Sequence, residues 1–250
     1  MATTLGLTPR LPSKGSAITI EKEVSTMKKV FWGLLASLAF LTFFFTIGIK
    51  VFYRIAALLG KAWPCPLAIA WVLELPVRLR TVPRVLDEIG IQEGERVLEL
   101  GPGPGAFTVD ASRRAGQHGQ LIAIDIQPGM IARVKQKLQE AHISNTQAQV
   151  ADAYHLPLDD ESINRAFLVT VLPEIPDRGR ALAELRRVLG PDGILSITED
   201  FMDPDYLFEF ETKKLVKRAG FIIEKRFGNM WHYTIHCRKA SDSGRVYYPD

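Results

Sequence analysis

Residues 97–106 read VLELGPGPGA, and this stretch decides the fold expected for the 250-residue chain. Its apolar first half predicts the end of a buried strand. The three glycines on alternate positions predict a loop, because glycine adopts backbone angles that a Cβ would forbid. Two prolines fix φ and stiffen that loop. The helix expected next turns its free N–H groups toward the loop, which suits an electron-rich ligand.

The loop carries a recognisable motif. The pattern Glu99-x-Gly101-x-Gly103-x-Gly105 resembles the first motif of class I methyltransferases that use S-adenosylmethionine. The resemblance implies that Glu99 lies near the methionine end of the ligand and that the glycines let the ligand lie across the loop. Two alternatives stay open here. Gly101-x-Gly103-x-x-Ala106 also fits the dinucleotide fingerprint, and a glycine-rich turn needs no ligand at all.

A second carboxylate follows at the end of the next apolar strand, residues 121–125. Ligands bind at the carboxyl ends of the strands in open parallel sheets, where Asp125 can accept hydrogen bonds from both ribose hydroxyls. The alternative is a cap for the helix that begins at Pro128. The run IDIQPGMI, residues 124–131, resembles the second-strand motif of the same methyltransferases. The cofactor site predicted from it includes Asp125 and Ile126.

Two further strands complete the predicted cofactor site. In the third strand, predicted over residues 148–153, the resemblance implies that Asp152 contacts the adenine amino group and that the Ala153 N–H faces the ring. In the fourth, predicted over 166–171, Thr170 falls where the family's backbone meets the methionine moiety. Residues 185–193 resemble the family's turn before a fifth strand, predicted over 194–199. The substrate side departs from the family pattern, because Glu174 follows Pro173 where a histidine is common.

Methyl transfer requires a base only where the nucleophile must lose a proton. Residues near strand ends or on the closing strands are the candidates, with a structural role as the alternative for each: Glu174, Glu199, Asp200, His232 and Tyr233. His232 and His236 share one strand face. No further ligands are spaced to complete a metal site with them, so no metal is predicted.

These motifs predict an α/β, Rossmann-like class I methyltransferase fold over residues 82–239, with a seven-stranded, mostly parallel sheet and helices on both faces. Residues 221–226 and 231–238 are the predicted closing strands, and residues 240–250 are a predicted disordered tail. Motifs in the expected order favour S-adenosylmethionine over a nicotinamide dinucleotide. An NAD(P)-binding Rossmann oxidoreductase and a catalytically inactive S-adenosylmethionine-binding membrane protein are the alternatives.

The amino-terminal part of the chain has a different character. Residues 30–49, VFWGLLASLAFLTFFFTIGI, carry no charge, and Lys28, Lys29, Lys50 and Arg54 flank them. About 20 apolar residues form a helix that spans a ~30 Å hydrocarbon layer, so a transmembrane helix is predicted. The alternatives are a cleaved signal peptide, for which the run is long, and a core helix, for which it lacks a polar face. Residues 1–29 are predicted to be a flexible leader.

Residues 50–81 are a predicted juxtamembrane segment that packs on the edge of the domain or lies at the bilayer interface, and that lids the ligand. The numbers of basic residues on the two sides of the span are nearly equal, so the positive-inside rule does not decide the orientation. Because S-adenosylmethionine is made in the cytosol, we expect a single-pass protein whose catalytic domain faces the cytoplasm.

Composition limits the classes of molecule that the chain is expected to bind. The net charge of +3, without a basic stripe, argues against nucleic acid. Cys65 and Cys237 form no metal or redox pattern. A tether raises the local concentration of a domain at the bilayer. The predicted function is therefore a membrane-anchored, S-adenosylmethionine-dependent methyltransferase that acts on a lipid, a quinone or another apolar small molecule.

Overall fold

The computed structural model describes residues 14–58 and 64–240. The chain divides into two compact units, Met1–Val51 and Phe52–Asp250. Helix α1 (Lys14–Leu58) forms the described part of the first unit, and its residues from Phe52 onward belong to the second. By length and composition, Ser25–Ala56 is the one helical stretch among the described residues able to cross a membrane, and an 18-residue window within it has a mean hydropathy of 2.1.

Helix α1 is longer than the predicted span and begins inside the predicted leader. Residues 14–29, expected to be flexible, continue the helix instead. They contain no proline, and each residue added to an existing helix gains a backbone hydrogen bond. Residues 1–13 and 241–250 lie outside the described residues. Ala240, assigned to the tail, donates its N–H to Gly220 O at 2.9 Å.

A seven-stranded sheet forms the centre of the second unit, as the sequence predicts. Its strands run in the order β3-β2-β1-β4-β5-β7-β6. Strands β1 to β5 are parallel, whereas β7 lies antiparallel to both β5 and β6. The strand bounds are β1 Arg96–Leu100, β2 Gln120–Asp125, β3 Thr146–Val150, β4 Ile163–Val169, β5 Leu189–Asp200, β6 Phe221–Gly228 and β7 His232–Lys239.

Helices cover both faces of the sheet. Strand side chains alternate between the faces: Leu98 and Ile122 pack in the cluster that contains α6 and α7, while Val97 and Leu121 pack with α3 and α4. The helix bounds are α2 Pro76–Leu79, α3 Val82–Ile89, α4 Thr108–Ala115, α5 Pro128–Glu140, α6 Arg178–Val188 and α7 Glu209–Arg218. Two 3-10 helices cover Leu67–Glu74 and Leu172–Glu174.

Strands β3, β4 and β5 differ most from their predicted bounds. Strand β3 ends at Val150 and β4 ends at Val169, so the predicted ends at residues 153 and 171 were too late. Ala153 and Val171 still pack against the core, which explains why their apolar character resembled that of a strand. Strand β5 begins at Leu189, and the expected turn forms a bulge within it: Ile163 pairs with Leu189, but Arg165 pairs with Ile194.

Candidate cofactor and acceptor site

A cavity of about 520 Å³ opens at the carboxyl ends of the parallel strands. The last residues of β1, β2, β4 and β5 line it, including Leu100, Asp125, Val169 and Asp200. Polar groups converge at this edge because every parallel strand ends there before its chain turns away. The cavity lies where an open parallel sheet binds its ligands.

The glycine loop requires its glycines for different reasons. Gly101, Gly103 and Gly105 have φ values of 72°, 53° and 83°, which L side chains rarely adopt. A Cβ on Gly101 would also lie 2.5 Å from Val171 Cγ2, so this position has no room for a side chain. The loop therefore stays open to a ligand only with glycine at its first position.

Asp125 connects the glycine loop to the chain that follows β2. Its Oδ2 accepts the Gly103 N–H at 3.2 Å, and its Oδ1 accepts the Gln127 N–H at 2.9 Å. Burial raises the pKa of this carboxyl, and the backbone donors partly oppose that effect. Asp125 thus braces the chain just before α5 while its side chain lines the cavity. The N-cap residue of α5 is Gln127, so the alternative in which Asp125 caps this helix was wrong.

Glu99 lines the same cavity and is almost fully buried. Its Oε2 accepts no hydrogen bond from the described residues. Burial raises the pKa of this carboxyl to about 8. A buried polar oxygen without a partner is costly unless a ligand supplies a donor. The loop and this oxygen therefore fit a ligand with a cationic or N–H donor end, as S-adenosylmethionine has.

The structure brings together eight of the nine predicted cofactor residues. The following residues line the cavity: Glu99, Gly101, Gly103, Asp125, Ile126, Asp152, Ala153 and Thr170. Gly105 does not line it. Thr170 has a φ of 56°, which is uncommon for a β-branched residue, and it donates its N–H to Thr198 O at 2.8 Å. Its backbone is thereby fixed at the end of β4.

Three of the five predicted base candidates line the cavity: Glu174, Asp200 and His232. Glu174 is half-buried, and its Oε2 accepts the Cys65 N–H at 3.1 Å. Burial and the nearby Asp205 raise its pKa to about 8. His232 lies between two carboxylates, with Nε2 3.1 Å from Glu88 and Nδ1 3.6 Å from Asp200. The hydrogen bond that His232 donates to Asp200 raises the pKa of His232 despite its burial.

The other two of the five candidates, Glu199 and Tyr233, do not line the cavity, which favours the structural alternative for each of them. Both side chains are fully buried. The Tyr233 hydroxyl donates to Leu207 O at 3.0 Å and lies 2.7 Å from Thr212 Oγ1, which ties β7 to α7. Neighbouring residues on a strand point to opposite faces. Proximity to a strand end could not therefore tell whether these side chains face the ligand edge or the core.

The cavity also includes residues that the motifs did not identify: Tyr53, Cys65, Arg78, Asp203 and Asp205. Arg78 was expected either to pack or to meet lipid headgroups, and it packs: its Nη2 lies 2.9 and 2.8 Å from the two oxygens of buried Asp203. The two aspartates follow the end of β5. The strand-end rule that identified Asp125 could have found them.

The 3-10 helix before α2 covers part of the glycine loop, which agrees with the predicted lid. The Leu73 side chain lies 3.6 Å from the place where a Gly103 Cβ would stand. Glu74 pairs with Lys137 of α5 at 2.6 Å, and Gln127 Nε2 donates to Cys65 O at 3.0 Å. Side chains of α5 and of its N-cap residue thus hold the segment over the site.

Comparison with known proteins agrees with this geometry. A methyltransferase domain family model matches residues 98–197. The ubiquinone/menaquinone biosynthesis C-methyltransferase UbiE of Haemophilus ducreyi is 29% identical over 143 residues, which is 55% of each chain. UbiE of Psychromonas ingrahamii is 32% identical over 144 residues, 55% of this chain and 57% of its own. The chain thus spans just over half the length of these curated relatives.

A solved structure shares the fold over its whole length. The S-adenosylmethionine-dependent methyltransferase of Aquifex aeolicus superposes with a TM-score of 0.65 and 23% identity, covering 70% of this chain and 100% of that one. The domain match, these relatives and the cavity at the glycine loop favour a methyl donor over a dinucleotide. Over residues 98–197 the chain therefore carries a methyltransferase domain that is similar to class I S-adenosylmethionine-dependent methyltransferases, and S-adenosylmethionine is the methyl donor that this similarity implies.

Proposed function

We propose that this protein is a membrane-anchored methyltransferase that acts on a quinone-type or similar apolar small molecule. One observation carries the proposal: the cavity lined by the predicted cofactor residues is also lined by Tyr53, Pro64 and Met202, which the cofactor motifs do not account for and which we call its acceptor end. The apolar parts of these side chains suit an apolar acceptor. The relatives named as quinone C-methyltransferases support the same acceptor class.

The chain's own residues would hold and orient the donor. Asp125 is the proposed ribose ligand, Asp152 and Ala153 the adenine contacts, and Glu99 the partner of the methionine end. When bound, S-adenosylmethionine supplies an electrophilic methyl group. The protein contributes mainly by fixing the acceptor against it, because positioning alone removes much of the barrier to a two-substrate reaction.

Glu174 is the proposed proton acceptor. A phenolic or quinol ring becomes a stronger nucleophile when its hydroxyl proton leaves, so a base beside the acceptor would speed the reaction. Glu174 lines the cavity, and its pKa of about 8 suits proton transfer near neutral pH. His232 faces carboxylates on both ring nitrogens, which favours a positioning role for it instead.

The membrane part of the proposal depends on α1. Its apolar stretch would cross the bilayer once and keep the catalytic domain on the cytoplasmic side, where the methyl donor is made. An anchored enzyme then meets an acceptor that is dissolved in the same bilayer at a high effective concentration.

The test uses the full chain in proteoliposomes with radiolabelled S-adenosylmethionine and a quinol that lacks one ring methyl group. We expect label in the quinol, at least a tenfold loss of donor affinity in Asp125→Ala, and a loss of turnover with retained donor binding in Glu174→Gln. Asp110→Ala, on the exposed face of α4, is the matched control and should behave as wild type.

Donor binding without transfer to any quinol or membrane-extract acceptor would favour the inactive alternative. Transfer to soluble acceptors with no preference for bilayer-embedded ones would contradict the proposed substrate class. Unchanged donor binding in Asp125→Ala would contradict the assigned cofactor site.

A further inference from the structure

An exposed apolar surface lies beside the acceptor end of the cavity. We call it the aromatic rim. Its members follow β5 or lie in the turn between β6 and β7, and each is 43–78% exposed: Met202, Phe208, Phe210, Met230 and Trp231. Soluble monomers rarely expose a continuous apolar patch of this kind unless the patch contacts a partner or a membrane.

Contacts with the aromatic residues Phe201 and Tyr206 connect the members of the rim. The Trp231 ring packs edge-on against Phe201 at 4.7 Å, and Phe201 contacts Tyr206 at 5.4 Å. Tyr206 contacts Phe208 at 5.6 Å, and its hydroxyl donates to Met230 O at 2.8 Å. The two segments therefore present one fixed surface.

The rim adjoins the last turns of α1 within the second unit. The Arg54 guanidinium lies 4.7 Å from the centre of the Phe208 ring. It also forms two 2.9 Å hydrogen bonds to the Glu211 carboxylate and a 3.1 Å bond to Tyr206 O. These contacts fix the end of α1 against the rim.

The contact between Arg54 and the rim indicates that the rim would face the surface of a membrane. Arg54 lies two residues before the end of Ser25–Ala56, the stretch long and apolar enough to cross a membrane. The end of such a span lies at the boundary between lipid headgroups and acyl chains. Tryptophan is favoured at that boundary, and arginine can place its charge among the headgroups there. Residues packed around Arg54 would lie at the same depth.

We propose that the aromatic rim inserts into the headgroup–acyl boundary of the bilayer that holds α1. Met202 belongs to the rim and also lines the cavity. Tyr53 lines the cavity as well. An apolar acceptor would then pass from the lipid into the cavity beside these two side chains. The contact between the rim and lipid requires only that α1 anchors the chain in the bilayer. The entry route for the acceptor rests on the proposed function.

The experiment measures the depth of a single tryptophan in the full chain. Trp32→Phe, Trp63→Phe and Trp71→Phe leave Trp231 as the reporter in phosphatidylcholine–phosphatidylglycerol vesicles. We expect lipids brominated near the top of the acyl chain to quench at least half of its fluorescence and aqueous acrylamide to quench little. The matched control adds Trp231→Phe and Val150→Trp, which moves the reporter to β3.

Val150 suits the control because it is exposed and β3 forms the opposite edge of the sheet. There we expect strong quenching by acrylamide and none by bromolipid. Trp231 quenched by acrylamide alone would overturn the proposal, because the rim would then face water. Trp231 shielded from both quenchers would also overturn it, since a second copy or another protein would then cover the rim.

A second measurement tests the entry route separately. Phe210→Ser, which lies outside the cavity, should raise the KM for a bilayer-embedded quinol severalfold and leave the KM for S-adenosylmethionine unchanged. If the wild-type chain methylates no quinol, the proposed function fails, while the quenching result still decides the lipid contact. An unchanged quinol KM together with bromolipid quenching would remove the entry route and keep the inserted rim.

Discussion

Gly101 shows how one missing side chain can determine a binding loop. We expect Gly101→Ala to destabilise the protein and abolish donor binding, because its Cβ would meet Val171 and its φ is 72°. Gly94→Ala is the matched control: φ is 85° there, but no atom lies within 4 Å of the added Cβ. The control should cost about 1 kcal/mol from backbone strain and keep donor binding. Thermal unfolding and calorimetric titration would distinguish the two variants, and equal losses would contradict the steric explanation.

Glu99 gives the fold a pH dependence of known sign. Its pKa is about 8 in the folded protein and near the ordinary glutamate value in the unfolded chain, so the native state holds the extra proton. Its stabilising contribution is complete below the unfolded pKa and is lost as pH rises toward about 8. We expect Glu99→Gln to reduce the fall in Tm between pH 5.5 and 8.5.

The corresponding free-energy difference is on the order of a few kcal/mol, at about 1.4 kcal/mol for each unit of pKa shift. The measurement is thermal unfolding of the detergent-solubilised full chain at both pH values. Glu93→Gln, at an exposed position, should keep the wild-type slope. A Glu99→Gln slope equal to that of wild type would show that the buried carboxyl does not titrate in this range.

Among the structural elements, the segment from Leu67 to Leu79 depends on a few ion pairs. We expect Arg78→Ala to loosen it, because Asp203 would remain buried without its guanidinium partner. Breaking a buried pair costs about 3–5 kcal/mol, and the partial exposure of Arg78 lowers the expected loss to about 1–3 kcal/mol. Hydrogen exchange over residues 64–81 should become faster.

The control for this change is Arg84→Ala, which removes a more exposed guanidinium that pairs with Glu88. It should cost less than about 1 kcal/mol and leave the exchange of residues 64–81 unchanged. Equal exchange rates in wild type and Arg78→Ala would mean that Glu74, Gln127 and apolar packing suffice to hold the segment.

The sequence predicted elements better than their ends or their side-chain partners. Apolar periodicity and glycine loops identified all seven strands, because both signals are local. The bulge in β5 and the early end of β4 depend on pairing across the sheet, which local signals do not contain. The same limit applies to the site. Motif residues such as Asp125 follow from the chain itself, whereas the Arg78–Asp203 pair joins positions 125 residues apart.

At the scale of the whole molecule, the apolar stretch of α1 predicts that the protein stays attached to a membrane. We expect the full chain to stay with membranes after alkaline carbonate extraction. Leu38→Arg with Leu41→Arg should release it or prevent insertion, because each charge at a helix centre costs about 2.5–3.5 kcal/mol. Ile222→Arg with Val150→Arg adds the same charge to exposed strand positions and should leave attachment unchanged. Release of wild type by carbonate would contradict the anchor.

The sidedness of the membrane can be measured in the same system. The catalytic domain should resist protease added to the outside of intact right-side-out vesicles and become cleavable once detergent opens them. Cleavage without detergent would place the domain on the outer side and separate it from the cytosolic methyl donor.

The two ends of the cavity come from different parts of the chain. In the proposed assignment, residues of β1, β2 and the loops after them, between 99 and 153, form most of the donor end, while Tyr53, Pro64 and lining residues at and after the end of β5 form the other. Substitutions in these outer segments can therefore change which molecule is accepted without altering the residues that contact the donor. Descendants of this gene could diversify in substrate while their donor chemistry stays constant.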